Sequence, residues 1–267
     1  MTPGRATRGV PLALVATSGV LLSALAGCSS DTTSTTPSGG DTTLTVAAAS
    51  SLTEVMPTIG SAFTRDNPGV RVQFSFAGSQ DIAAQVDAGA PLDAVALAGL
   101  GALEPITSQV GTTTLFTTNL LTIIVPPDNP KAVTSLTDLA DVRVSLAAPD
   151  VPAGQYAREA LDKAGVSVTP VSEEPDVKSV VSRVSLGGAD AGIVYVTDAE
   201  AAVGEVDAVP IPRAANVIST YPAATVTRSA HAGQAQSFVD FLRSDTAQRL
   251  LRQAGFGPVP LQGTASS

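Results

Sequence analysis

Short β-branched or apolar runs that end directly on a small or hydroxyl residue, which then opens a helical pattern, constrain this chain more than any other feature. From Thr43 onward the strand-like segments are TLTVAAA, RVQFSF, DAVALA, LLTIIV, VRVSLAA, AGIVYV and AATVT, and most are followed by helical spacing. That rhythm predicts an α/β fold. The first helix is expected from Leu52 to about Arg65, with Leu52, Val55, Met56, Ile59 and Phe63 on one face and Asn67-Pro68-Gly69 at its end. Ser51-Leu-Thr-Glu54 reads as a capping box for that helix. Further helices are expected at 80–86, 154–164, 177–186, 233–242 and 246–254. No repeat of fixed period is visible.

The junctions matter more than the elements they join. They are AAASSL (47–52), FAGSQ (76–80), VPAGQY (151–156) and EPDVK (174–178). A helix N-terminus presents unpaired N–H groups and roughly half a positive charge, so several converging on one point make an anion site. In open α/β sheets ligands lie beyond the carboxyl ends of the strands, where these junctions fall.

The N-terminus has a different character. Arg5 and Arg8 precede an almost wholly apolar run, Pro11 to Ala26, with small residues at its end, which is the layout of a secretory signal. Leu25-Ala26-Gly27-Cys28 closes it as a lipobox, so the expectation is cleavage after residue 27, lipid attachment at Cys28 and tethering to the outer face of the cytoplasmic membrane. The apolar run is shorter than the roughly 20 residues a spanning helix needs. Ser29 to Asp41 is polar and of low complexity, a tether within residues 28–42 with a reach on the order of 20 Å.

Composition then removes whole classes of function. Without residues 1–27 the formal net charge falls from −9 to −11, because two arginines leave and no acid does. Nucleic acid is therefore not an expected partner. Cys28 is the only cysteine and His231 the only histidine, which leaves little for a disulfide framework, a zinc site or Ser-His catalysis. Hydrophobic residues make up 44% of the chain, enough for a large core in one big domain or two lobes.

AAASSLTEVM, FSFAGSQDIAAQVDAGAPLDAVALA, VPAGQYAREALDKAG, EPDVKSVVSRV and GIVYVTDA follow one another as in the molybdate-binding proteins of bacterial ABC importers, and the chain resembles that family over most of residues 43–267. The C-terminal FVDFLRSDTAQRLLRQAGFGPV resembles the closing helix pair of the wider superfamily. The resemblance implies a two-lobed periplasmic-binding-protein-like fold of type II, with lobe I formed by residues 43–119 and 221–267 and lobe II by 120–220. It also implies that Ser51, Ser79, Ala153, Val177 and Tyr195 bind the oxyanion: hydroxyl donors from the serines and Tyr195, backbone N–H donors from Ser51, Ser79, Ala153 and Val177. No protein atom would ligate molybdenum directly and no cofactor would be needed. The partners implied are the anion, molybdate or tungstate, and an ABC permease, with the protein itself a monomer and not an enzyme. Ser50 stays an alternative to Ser51, with Leu52 as the anchor of the alignment. At ALAGLGAL (96–103) the chain departs from relatives that carry a serine and an acid there.

Taken singly, these residues have plainer explanations. Ser51 and Ser79 suit N-caps, VPAG suits a turn into a helix, Val177 opens the apolar set Val177, Val180, Val181 and Val184, and Tyr195 suits packing. Lys178 is spaced as a solvent-facing helix residue, and Tyr156, Tyr195 and Tyr221 show no pairing of the kind iron binders use. Two other functions compete. Sulfate or another tetrahedral oxyanion differs from molybdate chiefly in size, and an exported serine hydrolase would use Ser51 or Ser79, although no G-x-S-x-G elbow is present.

Overall fold

The computed structural model describes residues 41–259. The signal segment 1–27, Cys28 and most of the tether lie outside the described residues. In chain order the elements are β1 (Thr42–Ala49), a 3-10 turn (Ser50–Leu52), α1 (Met56–Asp66), β2 (Val70–Ala77), α2 (Ser79–Asp87) and β3 (Ala94–Ala96). A 3-10 stretch (Leu100–Gln109) leads to β4 (Thr114–Val125), and a second (Leu136–Asp141) to β5 (Val144–Ala147). Then come α3 (Pro152–Lys163), β6 (Ser172–Glu174), α4 (Val177–Ser185), β7 (Ala191–Tyr195), α5 (Val196–Ala201) and β8 (Asp207–Pro210). β9 (Ile218–Thr225), α6 (Ala232–Phe241) and α7 (Asp245–Gln253) complete the body.

The strands form one mixed sheet in the order β2-β1-β3-β9-β4-β7-β5-β6, with β8 also on β4. β1 pairs in parallel with β2 and β3, and β5 with β6 and β7, whereas β4 is antiparallel to its neighbours. β4 serves both halves. Its residues Thr114 to Leu120 pair with β9, and Leu121 to Val125 pair with β7 and β8. The result is the two-lobed α/β fold of type II.

Parallel strands need cover on both faces, and the alternation along β1 and β3 supplies it. Leu44, Val46 and Ala48, with Ala94 and Ala96, enter the large core. Ala47 and Val95 point the other way, into a second cluster with Ile82, Val86, Leu103 and Ile106 from α2 and the first 3-10 stretch. On the large-core side Phe63 of α1 meets Phe238 and Phe241 of α6 edge-on, with centroids 5.3 and 5.5 Å apart. The C-terminal helix pair is thereby locked to the first half.

The first helix differs from its sequence reading. It begins at Met56 rather than Leu52, after the separate 3-10 turn, because Pro57 at its second position has no N–H to bond back into the preceding turn. The capping box at Ser51 and Glu54 does not form: the 3-10 turn has no side-chain cap, and the Ser51 hydroxyl goes instead to Tyr221. The other expected helices lie within two residues of their predicted ends. The first half of β4, the short strands β6 and β8 and the helix α5 carry too little local pattern to be read in advance.

Candidate functional site

All four junctions meet. A small cavity is lined by eleven residues: Ala49, Ser50, Ser51, Gly78, Ser79, Ala98, Val151, Pro152, Ala153, Val177 and Tyr195. The five residues singled out in the sequence are among them, together with Ser50. No lining residue is charged. The cavity is small, with about 10 Å³ open to the centre of a water-sized sphere, roughly the room for one water molecule.

Each donor is prepared by a neighbour. The Ser79 hydroxyl accepts the Ala98 N–H at 2.9 Å, so its own hydrogen is free to point into the cavity. Ser51 Oγ lies 2.9 Å from the Tyr221 hydroxyl, which also faces the Asn119 amide at 3.5 Å. Asn119 in turn donates to Thr197 Oγ1 at 2.8 Å. This buried chain fixes Ser51 from behind. The Ser219 hydroxyl donates to Tyr195 Oη at 3.4 Å, leaving the phenol hydrogen for the cavity. Burial pushes the Tyr195 hydroxyl well above the usual phenol range, so it keeps that hydrogen at any physiological pH.

The backbone donors come from first turns, where an N–H has no carbonyl one turn back to bond to. Ala153 is the second residue of α3, after Pro152, and Val177 the first of α4. The Asp176 carboxylate caps α4 by accepting from the Ser179 N–H at 2.8 Å, two residues beyond Val177. Gly154 is what lets α3 come so close. A Cβ there would collide with the Ala147 and Ala148 carbonyl oxygens at the end of β5. Gly99, at φ +82°, does the same on the opposite rim, where a Cβ would lie 2.7 Å from Tyr156 Oη. That rim belongs to the segment 96–103. Its Ala98 contributes the N–H that orients Ser79.

Several residues of this site were not legible in the sequence. Tyr221, Asn119, Thr197 and Ser219 are buried behind the cavity, brought there by β9, β4 and α5, which are distant in sequence from most of its lining. Tyr195 and Tyr221 meet edge-on at 6.0 Å across β4, which lies between their strands, an aromatic packing contact and not the paired hydroxyls of an iron site. Only Tyr195 lines the cavity. Lys178 is likewise not simply solvent-facing. Its side chain is 29% exposed, with Nζ 3.5 Å from Asp198 Oδ1 and 3.6 Å from Glu54 Oε1. The Asp198 side chain is fully buried, and burial raises its pKa to about 6 despite the lysine. His231 is absent from the cavity and lies 3.2 Å from Asp93 instead. Ser51 and Ser79 therefore have no histidine beside them, so a Ser-His pair is not formed at this cavity.

A two-lobed type II body with a small, uncharged cavity where helix starts converge has the architecture of a solute-binding protein. The chain belongs to the bacterial extracellular solute-binding protein family, whose model matches residues 44–257. It is 35% identical over 257 residues to the molybdate-binding protein ModA of Mycobacterium tuberculosis, covering 93% of this chain and 98% of that one. It is 29% identical over 243 residues to the putative ABC transporter substrate-binding lipoprotein YvgL of Bacillus subtilis, covering 87% of this chain and 92% of that one. Among solved structures, the periplasmic molybdate-binding protein of Azotobacter vinelandii superimposes with a TM-score of 0.71 at 18% identity, over 82% of this chain and all of that one. The sulfate-binding protein SubI of Mycobacterium tuberculosis gives 0.69 at 23%, over 82% and 87%. At those identities the structural likeness speaks to the fold and not to the choice of anion.

Proposed function

We propose that this protein captures molybdate, and tungstate equally well, outside the cytoplasmic membrane and delivers it to an ABC permease. Lobes of residues 43–119 with 221–267 and 120–220 close on the anion. One observation carries the reading: the hydroxyls of Ser51, Ser79 and Tyr195 and the first-turn N–H groups at Ala153 and Val177 surround a single small cavity that holds no charged side chain. Molybdate is a fully ionised tetrahedral dianion with four acceptor oxygens and no proton to give, so it needs donors only. Fixed dipoles in a site closed to water balance its charge without an arginine. Phosphate at neutral pH brings a proton of its own, which no carboxylate lines this cavity to accept, and an unpaired hydrogen there costs about 1 to 3 kcal/mol. The relatives named as molybdate-binding support the same choice. No cofactor enters the reading, and the protein acts as a monomer, held to the membrane through a lipid on Cys28.

The test is calorimetry of the purified chain against molybdate, tungstate, sulfate and phosphate. Molybdate and tungstate are expected to bind with similar strength and far above the other two. Sulfate binding as tight as molybdate would move the protein to sulfate capture.

A further inference from the structure

Two of the helices that start at the cavity carry, as their second residue, a side chain that reaches across to the opposite half. Gln80 follows Ser79 at the start of α2, and its Nε2 donates to the Pro175 carbonyl, on the turn before α4, at 3.0 Å. Lys178 follows Val177 at the start of α4, and its Nζ lies 3.6 Å from Oε1 of Glu54, in the turn before α1. The two contacts are reciprocal. Each links the first turn of one cavity helix to the segment entering a helix of the other half. Neither Gln80 nor Lys178 lines the cavity, although the residue before each does.

The two arms of Lys178 are unequal. Asp198 is buried and its Oδ1 has no hydrogen-bond partner, so the ammonium 3.5 Å away is its electrostatic counterpart and is held from behind within the same half. Glu54 is 64% exposed and belongs to the other half, so its arm can break while the Asp198 arm persists. Gln80 has a similar asymmetry: its Oε1 is buried without a hydrogen-bond partner, while its Nε2 makes the bond across.

We propose that Gln80 and Lys178 are positioning residues that latch the two halves together around the anion, setting how long it stays without touching it. The proposal rests on the anion-site reading above and extends it to closure. Contacts made only when the halves meet shift the open-closed balance, and so slow ligand escape, with no differential contact to the ligand itself. An exposed ion pair and a neutral hydrogen bond of this kind each correspond to about a twofold to tenfold change in that balance.

The experiment uses the full chain in mild detergent, molybdate as the probe, stopped-flow tyrosine fluorescence for association and dissociation, and amide hydrogen exchange of the ligand-free protein. Glu54→Gln and Gln80→Ala are each expected to speed molybdate dissociation about twofold to tenfold with association unchanged, and to raise exchange at the starts of α2 and α4. In about 1 M salt the effect of Glu54→Gln should vanish, because exposed charges are screened within about 3 Å, whereas that of Gln80→Ala should remain. Lys178→Met should abolish any further effect of Glu54→Gln, and Glu54→Gln by itself leaves the buried Asp198 pair intact should the lysine variant fold poorly. Unchanged dissociation and unchanged exchange in both Glu54→Gln and Gln80→Ala would overturn the latch. Failure of the wild-type chain to bind molybdate would instead overturn the proposed function, while the ligand-free exchange would still report on the latch.

Discussion

The hydroxyl oxygens of Ser51 and Tyr221 lie 2.9 Å apart, one in the 3-10 turn after β1 and the other in β9, 170 residues later. Burial drives the Tyr221 phenol far above its usual titration range, so it stays protonated and can donate to Ser51. Ser51 then has its own hydrogen for the cavity. Tyr221→Phe should weaken molybdate binding about threefold to tenfold by freeing that hydroxyl to rotate, and Ser51→Ala about tenfold to a hundredfold. Calorimetry on the two variants checks the order, and an equal or larger loss from Tyr221→Phe would mean that the tyrosine does more than orient the serine.

Ser79 and Tyr195 separate binding from folding. Both variants, Ser79→Ala and Tyr195→Phe, should lose about tenfold to a hundredfold in affinity, since a hydrogen bond to a charged group contributes roughly 1.5 to 3 kcal/mol. Ser79→Ala should also lower the melting temperature of the ligand-free protein, because it strands the Ala98 N–H at a cost of about 1 to 3 kcal/mol, and by more than Tyr195→Phe, which takes away only the 3.4 Å acceptor of the Ser219 hydroxyl. Thermal melts with and without molybdate distinguish the two effects.

Asp198 makes stability depend on pH with a sign opposite to most carboxylates. Its folded pKa of about 6 lies above the ordinary 3.8, because burial disfavours the charged form. The folded state therefore holds this proton more tightly than the unfolded state does, and the group's contribution falls as pH rises from about 4 to 6. Asp198→Asn keeps an acceptor for the Tyr195 N–H and removes the titration. Between about pH 4 and pH 7 its stability relative to wild type should improve by on the order of 1 to 3 kcal/mol, measured by denaturant unfolding at each pH. A flat difference across that range would show that Asp198 titrates normally.

Selectivity should follow size at fixed charge. Donors held by helix starts cannot follow a smaller anion inward, so sulfate is expected to miss about two of them and to bind roughly two to four decades more weakly than molybdate. Competition titration of sulfate against bound molybdate gives the ratio directly.

Membrane attachment tests the reading of LAGC at residues 25–28. Cys28→Ser should release the protein from membranes into the soluble fraction while leaving molybdate affinity unchanged. Persistent membrane partitioning after high-salt washing would rule out a lipid on this cysteine.

The sequence by itself determined the α/β class, most of the helices and the strand-to-helix junctions that line the cavity, because these depend on local physics. A strand that runs into Ser79, or into Val151-Pro152-Ala153, places unpaired N–H groups at a helix start whatever the rest of the chain does. The tertiary structure decided what those donors lean on. Ser51 and Glu54 form a local capping pattern in sequence, yet in the fold Ser51 turns to Tyr221, because a buried partner on a distant strand outcompetes a local cap, and Glu54 is left to the exposed pair with Lys178. Tyr221 and Asn119 carry no spacing that marks them, since their roles arise only when β4 and β9 pair, and Asp198 gains its role when α4 packs beside α5 within one half. Donor placement is a property of each junction, whereas orientation, burial and closure are properties of the whole sheet.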